Sequence, residues 1–523
     1  MTERPTLDPE VLAELRAALG DAAVIVDDDG VDAFRDPYGL PGDDRFLACG
    51  VVEPTTTEQV QAVMRICNAN GVPVWPHSQG RNNGYGGPAP RVRGSLLISL
   101  RKMNRVLEIN HELAYAVVEP GVRWFDLYDA LEADGGDLQV MVPDLGWGSV
   151  IGNQMDNGVG YLPLGENSQT LTGLEVVLAD GSLLRTNMGS IPGNKTFHTY
   201  KNSYGPSLDR FFAQSNFGIV VRAGVWLQRK PEAYAPLMLT VPRDEDLEIL
   251  VDTLRDLRLE GTISAVPAIM STLTAVSQFL EEAIPPGFIG EDELARLAEE
   301  KGVGRWAVRT ALWGRRAVVD AKLARLREVW EAIPGATVVL TSGRIFSPDE
   351  YGEIDRETDK VQAGIPTMKL MDSGQWPADL GHLGFAPLVP LVGADVRKAA
   401  GEMQRLMAEE GLNFLASTYS FNDRTACVVA VIPFMMTDPE QVEAGYRVAR
   451  KLVKEMGKLG YGEFRAHLDY MDDAREVHSF GDHAYRRFIE RIKDAIDPNG
   501  VIMPGRHGIW PSRYAHLRAV RPD

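Results

Sequence analysis

Between Pro54 and Leu100 the hydrophobic positions change period twice. Val60, Val63, Met64 and Cys67 recur at the three-to-four spacing of one helical face, with Thr55 and Glu58 in a capping-box relation before them and Asn70-Gly71 as a stop. The pattern predicts a helix feeding a strand over 72–75. A polar, glycine-rich stretch fitting neither period follows, and the apolar run 96–100 then reads as another strand. Further strands are predicted over 115–119 and 174–179, the latter ending in the hairpin signal Asp180-Gly181 before 182–184 returns. Strands that are often not separated by helices make this half α+β. Composition shifts over 229–236, a candidate domain crossing. Beyond it the periodicity predicts helices over 244–257, 315–333, 394–410 and 439–459, with short strands over 337–340 and 427–432, a second α+β unit. The acidic stretch 281–304, with Pro285-Pro286-Gly287, reads as a solvated surface excursion. No internal repeat is found.

At 523 residues the chain exceeds one simple core, given roughly 100–200 residues per domain, and a small stapled scaffold or a lone binding module is excluded. A 44% hydrophobic and 24% charged composition is that of a globular chain without long disordered regions. Lys plus Arg number 54 against 73 Asp plus Glu, a net charge of −19. That charge repels nucleic acid and anionic membranes, so neither is expected as a partner, while a locally positive site for a small ligand stays open. The three cysteines, Cys49, Cys67 and Cys427, form no disulfide framework, CxxC pair, zinc knuckle or haem-attachment motif, and no metal site is expected. Residues 1–8 carry charges and prolines where a signal peptide needs an apolar run, and no stretch of 18 apolar residues occurs. A soluble, cytoplasmic protein is expected.

Four glycine-rich clusters carry the candidate chemistry. The first runs from Ser78 through Gly80, Arg81, Asn82, Asn83, Gly84, Tyr85, Gly86 and Gly87. Such a loop can turn several backbone N–H groups toward one point, as a diphosphate requires, although an irregular surface turn is its bland reading. It is not a Walker loop, lacking Gly-Lys-Ser/Thr. Its accidental match to G-x-G-x-x-A fails as a dinucleotide fingerprint because Pro88 and Pro90 follow where a helix must open. The second cluster, 143–161, contains Pro143, Gly148, Ser149, Gly152, Asn153 and Asp156; the third, 214–220, contains Gly218 and Ile219; the fourth, 497–506, ends in Gly505-Arg506. Alone, each is at least as readily a structural turn.

Together, in order and spacing over nearly the whole chain, these clusters resemble the flavoprotein family of vanillyl-alcohol oxidase, eugenol oxidase and the flavin subunit of 4-cresol dehydrogenase. The resemblance implies a two-lobed α+β fold. An FAD-binding domain would comprise residues 1–236 and a carboxy-terminal return, 487–523, with an α+β cap over 237–486 above the flavin ring. The first three clusters would hold FAD, and the tail resembles Asp-Pro-x-Gly-Ile-x-x-Pro-Gly-Lys with Arg506 at the lysine position. Tyr85 matches a tyrosine that binds a substrate phenol oxygen, and Arg465 the arginine beside that oxygen. Phe464 stands where the family has a second tyrosine. Asp156 matches an aspartate near flavin N5, although a bare Asp in a glycine-rich turn is more often a cap. His382, one of nine histidines, matches the residue bonded covalently to the flavin in the family's oxidases. Two departures mark a rebuilt substrate side: Met270 replaces a cap arginine, and Asn422-Asp423-Arg424-Thr425-Ala426 lacks a pair of histidines.

The resemblance therefore implies an FAD oxidase of para-substituted phenols, including 4-hydroxybenzylic alcohols and 4-alkyl- or 4-allylphenols of the lignin-derived kind. Reaction would run through a quinone methide, O2 would be reduced to hydrogen peroxide, and a homodimer is expected. Three alternatives stand beside it: a dehydrogenase of the same phenols with a cytochrome-type acceptor, a 2-hydroxy-acid or sugar-alcohol oxidoreductase using Arg465 as a carboxylate clamp, and a flavin-binding protein without turnover.

Overall fold

The structure, a computed structural model, describes residues 4–40, 42–165, 167–277, 288–369, 377 and 379–519. The helix expected after Pro54 is Thr57–Asn70, buried along Val60, Val63, Met64 and Cys67, and Gly71 ends it in the left-handed region at φ 64°. Its cap is one residue later than the sequence pattern suggests. Thr56 accepts from the Gln59 N–H at 3.2 Å, and the Gln59 side chain reaches back to the Thr55 N–H at 2.7 Å. Three consecutive threonines followed by Glu58-Gln59 permit either register, and in the one observed Thr57 is the buried first residue of the helix.

This helix is the crossover that parallel strands require. It joins Gly50–Val52 to Val74–His77, both parallel to Leu96–Ser99 between them, and Val24–Ile25 closes the sheet antiparallel. A second, antiparallel sheet follows in the order Val106–Asn110, Tyr115–Val118, Ile219–Trp226, Leu171–Val177 and Leu183–Arg185, its last pair joined through the Asp180-Gly181 turn. The third sheet begins at Ala233–Val241 and includes Ala268–Met270, Trp306–Gly314, Thr337–Leu340, Leu380–Phe385, Leu415–Ser420 and Thr425–Met435. Helices Leu247–Leu259, Arg316–Trp330, Gly393–Glu409 and Pro439–Lys458 bury their apolar faces in the core it shares. Of the acidic excursion, the second half is helix Glu291–Lys301, exposed along its acids with Ala298 buried; its Pro285-Pro286-Gly287 lies outside the described residues.

The tail returns to the amino-terminal sheet. The Val74 N–H donates to the Val501 carbonyl at 2.7 Å and the Met503 N–H to the Val74 carbonyl at 2.9 Å. Behind this pairing Lys493, fully buried, donates to Asp497 at 2.7 Å and to the carbonyls of Asn216 at 2.5 Å and Ile502 at 2.7 Å. Asp497 in turn accepts the N–H groups of Val501 and Ile502 at 3.0 and 2.8 Å. The three cysteines are buried and free.

Candidate active site

The four glycine-rich clusters meet around one cleft of about 490 Å3. From the first, Ser78, Gly80, Arg81, Asn82, Asn83, Tyr85 and Gly87 line it. The second contributes Pro143, Gly148, Ser149, Gly152, Asn153 and Asp156, the third Gly218 and Ile219, and the tail Arg506. Phe464 and Arg465 close it from the far end of the chain. Gly84, Gly86 and His382 stand behind this surface. Gly84, at φ +80°, has the His382 ring against it so closely that a Cβ would lie 2.9 Å from Cδ2, a position open to glycine alone.

Two poles of charge are visible. At the first, Arg506 donates to both carboxylate oxygens of Asp156, at 3.0 and 2.8 Å, and His507 Nε2 stands 3.5 Å away. Burial by itself would raise the Asp156 pKa, but Arg506, His507 and Arg465 outweigh it and hold the carboxyl well below the usual range. Burial pushes His507 down to about 4, so that it is neutral near pH 7. Arg465 donates Nε–H to the Asp156 carbonyl at 2.8 Å, with its guanidinium carbon 5.9 Å from the Tyr85 ring centre and 4.8 Å from that of Phe464. Its Nη2 is buried without a hydrogen-bond partner among the described residues. Burial raises the Tyr85 pKa, against the opposing pull of Arg465, so its hydroxyl keeps its proton. Phe464 packs edge-on against Phe421 with ring centres 5.3 Å apart.

The second pole joins Arg309 and Tyr419 of the third sheet to Asp144 and Tyr161 at the two ends of the second cluster. Asp144 accepts from the Tyr161 hydroxyl at 2.5 Å and from Arg309 at 2.9 Å, and Arg309 lies 4.2 Å over the Tyr161 ring. Tyr419, 6.2 Å from Tyr161 between ring centres, is pushed up to about 12 by burial. Sequence reading did not single out Asp144, Tyr161, Arg309, Tyr419, Phe421 or His507. His507 had a signal, its place next to Arg506. Tyr419 lies in strand Leu415–Ser420 and Phe421 directly after it, and neither carries such a signal.

Comparison with known proteins agrees with this architecture. Residues 48–187 match the FAD binding domain family model. The chain is 33% identical to the 4-cresol dehydrogenase [hydroxylating] flavoprotein subunit of Pseudomonas putida over 96% of its own length and 95% of that protein's. Among solved structures, a 4-ethylphenol oxidase from Gulosibacter chungangensis in complex with isoeugenol superposes with a TM-score of 0.90 at 33% identity, covering 98% of this chain and 100% of the other. A substrate-bound p-cresol methylhydroxylase gives 0.88 at 31%, covering 97% and 99%. The protein is an FAD-dependent oxidoreductase with the vanillyl-alcohol-oxidase-type α+β fold. Within that class, the chain belongs to the vanillyl-alcohol oxidase and 4-cresol dehydrogenase family.

The cleft suits FAD. Glycine-rich backbone from three clusters offers N–H groups for a diphosphate. Both ring nitrogens of His77, at the end of strand Val74–His77, are buried without a hydrogen-bond partner among the described residues, as polar atoms facing a ligand would be. Among the described residues no group of three or more His, Cys, Asp or Glu is arranged to hold a metal ion, and no helix is long and apolar enough to cross a membrane.

Proposed function

We propose that this protein oxidises para-substituted phenols, binding them as phenolates between Tyr85 and Arg465. The observation that carries the reading is the buried, unpartnered Nη2 of Arg465 in the cleft wall beside Tyr85. A buried guanidinium N–H without an acceptor is costly, and a phenolate oxygen supplies one. Tyr85, kept protonated, donates a second hydrogen bond to the same oxygen. Phe464 contributes no hydroxyl, so the pole has one donor fewer than the family pattern and a more apolar wall. FAD, when bound, serves as the two-electron acceptor for the hydride lost from the benzylic carbon. Asp156, ionised by its cationic neighbours, is a fixed negative charge that favours cationic character at that carbon and orients an alcohol hydroxyl or a water. A 4-hydroxybenzylic alcohol then leaves as the aldehyde after losing hydride and proton, while an alkylphenol leaves as a quinone methide that adds water.

His382 belongs to the proposal as the covalent flavin link. Burial pushes its pKa down to about 4, leaving a neutral imidazole with a free lone pair, and it packs on the first cluster at Gly84. The division into FAD-binding parts 1–236 and 487–523 with a cap over 237–486, a homodimer, a cytoplasmic location and O2 as final acceptor complete the reading. A second acceptor has specific support. The Pseudomonas putida relative is a dehydrogenase flavoprotein subunit, whereas the Gulosibacter chungangensis protein, equally identical, is an oxidase. Peroxide release with 4-hydroxybenzyl alcohol but not with its O-methyl ether is the expected result, and equal rates would refute the phenolate reading. Turnover with an artificial electron acceptor and none with O2 would assign the protein to the dehydrogenases.

A further inference from the structure

One strand of the third sheet supports several of these groups at once. Along Leu380–Phe385, His382 packs on Gly84, and the Gly384 N–H donates to the Gly84 carbonyl at 3.2 Å. Gly384 lies against Tyr85, where a Cβ would come within 2.6 Å of the phenol ring and hydroxyl, and its carbonyl accepts from the Tyr470 hydroxyl at 2.8 Å. Directly after the strand, the Ala386 carbonyl accepts the Phe464 N–H at 3.1 Å. The Ala386 N–H donates to the Glu463 carboxylate at 3.0 and 3.2 Å, and the same carboxylate accepts the Arg465 N–H at 2.9 Å. Glu463 itself does not line the cleft.

We propose that Glu463 is a positioning residue that ties the Arg465 backbone to this strand at Ala386 and so fixes where the guanidinium stands relative to Tyr85. The inference rests on the phenolate reading of that pair. Four titratable or charged groups face Glu463: Arg465 on its own turn, Tyr85 of the first cluster, Cys427 of strand Thr425–Met435, and Tyr470. Burial pushes the Glu463 carboxyl up to about 8, against the backbone N–H groups of Ala386, Arg465 and Phe464 that favour its charged form. As pH rises through that value a negative charge appears beside Arg465 and opposes a phenolate there. The same raised pKa makes the contribution of Glu463 to stability complete below about pH 4.3, its unfolded value, and lost as pH rises through the folded one.

The test measures kcat/KM for 4-hydroxybenzyl alcohol from pH 6 to 9.5 on holoprotein of the wild type, E463A and E463Q, with FAD content and flavin absorbance as a check on folding. Because Glu463 Oε1 reaches both N–H groups, the glutamine carbonyl can keep both bonds. E463A is expected to lose roughly 10²-fold in kcat/KM, the cost of a displacement of about 1 Å in a positioned group, with its flavin spectrum unchanged. E463Q restores most of the activity at neutral pH and lacks the wild-type fall through about pH 8. Wild-type kcat/KM in E463A, or an E463Q profile that keeps the fall, overturns the inference; if E463A does not hold FAD, the E463Q profile decides. A wild type that turns over no phenol at any pH overturns the phenolate reading and the inference with it, whereas failure confined to the variants overturns the inference alone.

Discussion

Two acid–base pairs anchor the carboxy-terminal return, and they differ in what is left over. Lys493 and Asp497 are both 0% exposed, and each is surrounded by backbone partners that complete its hydrogen bonding. Asp156 and Arg506 are 23% and 13% exposed and open into the cleft beside the unpartnered Nη2 of Arg465. The first pair is closed upon the fold and holds the tail motif to strand Val74–His77. The second holds charge at a surface that faces a ligand. A buried ion pair by itself signals neither structure nor function; what differs here is that every polar side-chain atom of Lys493 and Asp497 has a partner, whereas the Arg465 Nη2 beside Asp156 lies in the cleft wall without one among the described residues.

Breaking the closed pair should have the largest effect. Lys493→Met leaves Asp497 buried without its cation and should cost about 3–5 kcal/mol of stability, read as a lower unfolding midpoint in denaturant; adding Asp497→Asn should recover part of it. A single variant as stable as the wild type would remove the structural half of the contrast. At the open site, Arg465→Ala should lower kcat/KM for 4-hydroxybenzyl alcohol by roughly 10²–10³-fold while FAD content stays near that of the wild type. Equal losses of FAD and activity would make Arg465 a cofactor residue instead. The pairs also differ with pH. His507, beside Asp156, has its pKa lowered from 6.5 to about 4, so the unfolded chain binds more protons between those values and stability should fall as pH drops from 6.5 to 4. His507→Gln should flatten the stability curve across that window, and an unchanged curve would contradict the assignment. The smallest effect is expected at Phe464. Phe464→Tyr places a hydroxyl beside Arg465, 4.8 Å from the present ring centre, and should tighten phenol binding by about 1 kcal/mol, the scale of one added hydrogen bond, seen as a lower KM.

What could be read along the chain was local. The clusters over 78–87 and 143–161 are rich in glycine and asparagine within a few residues of one another, and most of their members do line the cleft. Helix Thr57–Asn70 was legible because its face and its stop are near neighbours, and its cap slipped by one because Thr55, Thr56 and Thr57 are equivalent until packing selects among them. Asp144 and Arg309 are 165 residues apart, and Asp156 and Arg506 are 350 apart. No periodicity or spacing links such pairs. Nothing in the sequence marks Glu463, whose carboxyl meets the Ala386 N–H across 77 residues.

The sequence by itself determined the kinds of element, the loops able to present backbone N–H groups, the absence of disulfide chemistry and, through its ordered motifs, the flavoprotein family. These depend on φ preferences, side-chain periodicity and residue type, which act over a few positions. The tertiary structure decided the charge state of Asp156, the protonated form of Tyr85, the isolation of the Arg465 Nη2 and the tie through Glu463. Each of these is a property of burial and of a partner far away in the chain, and desolvation acts only once the fold has removed water and placed the partner.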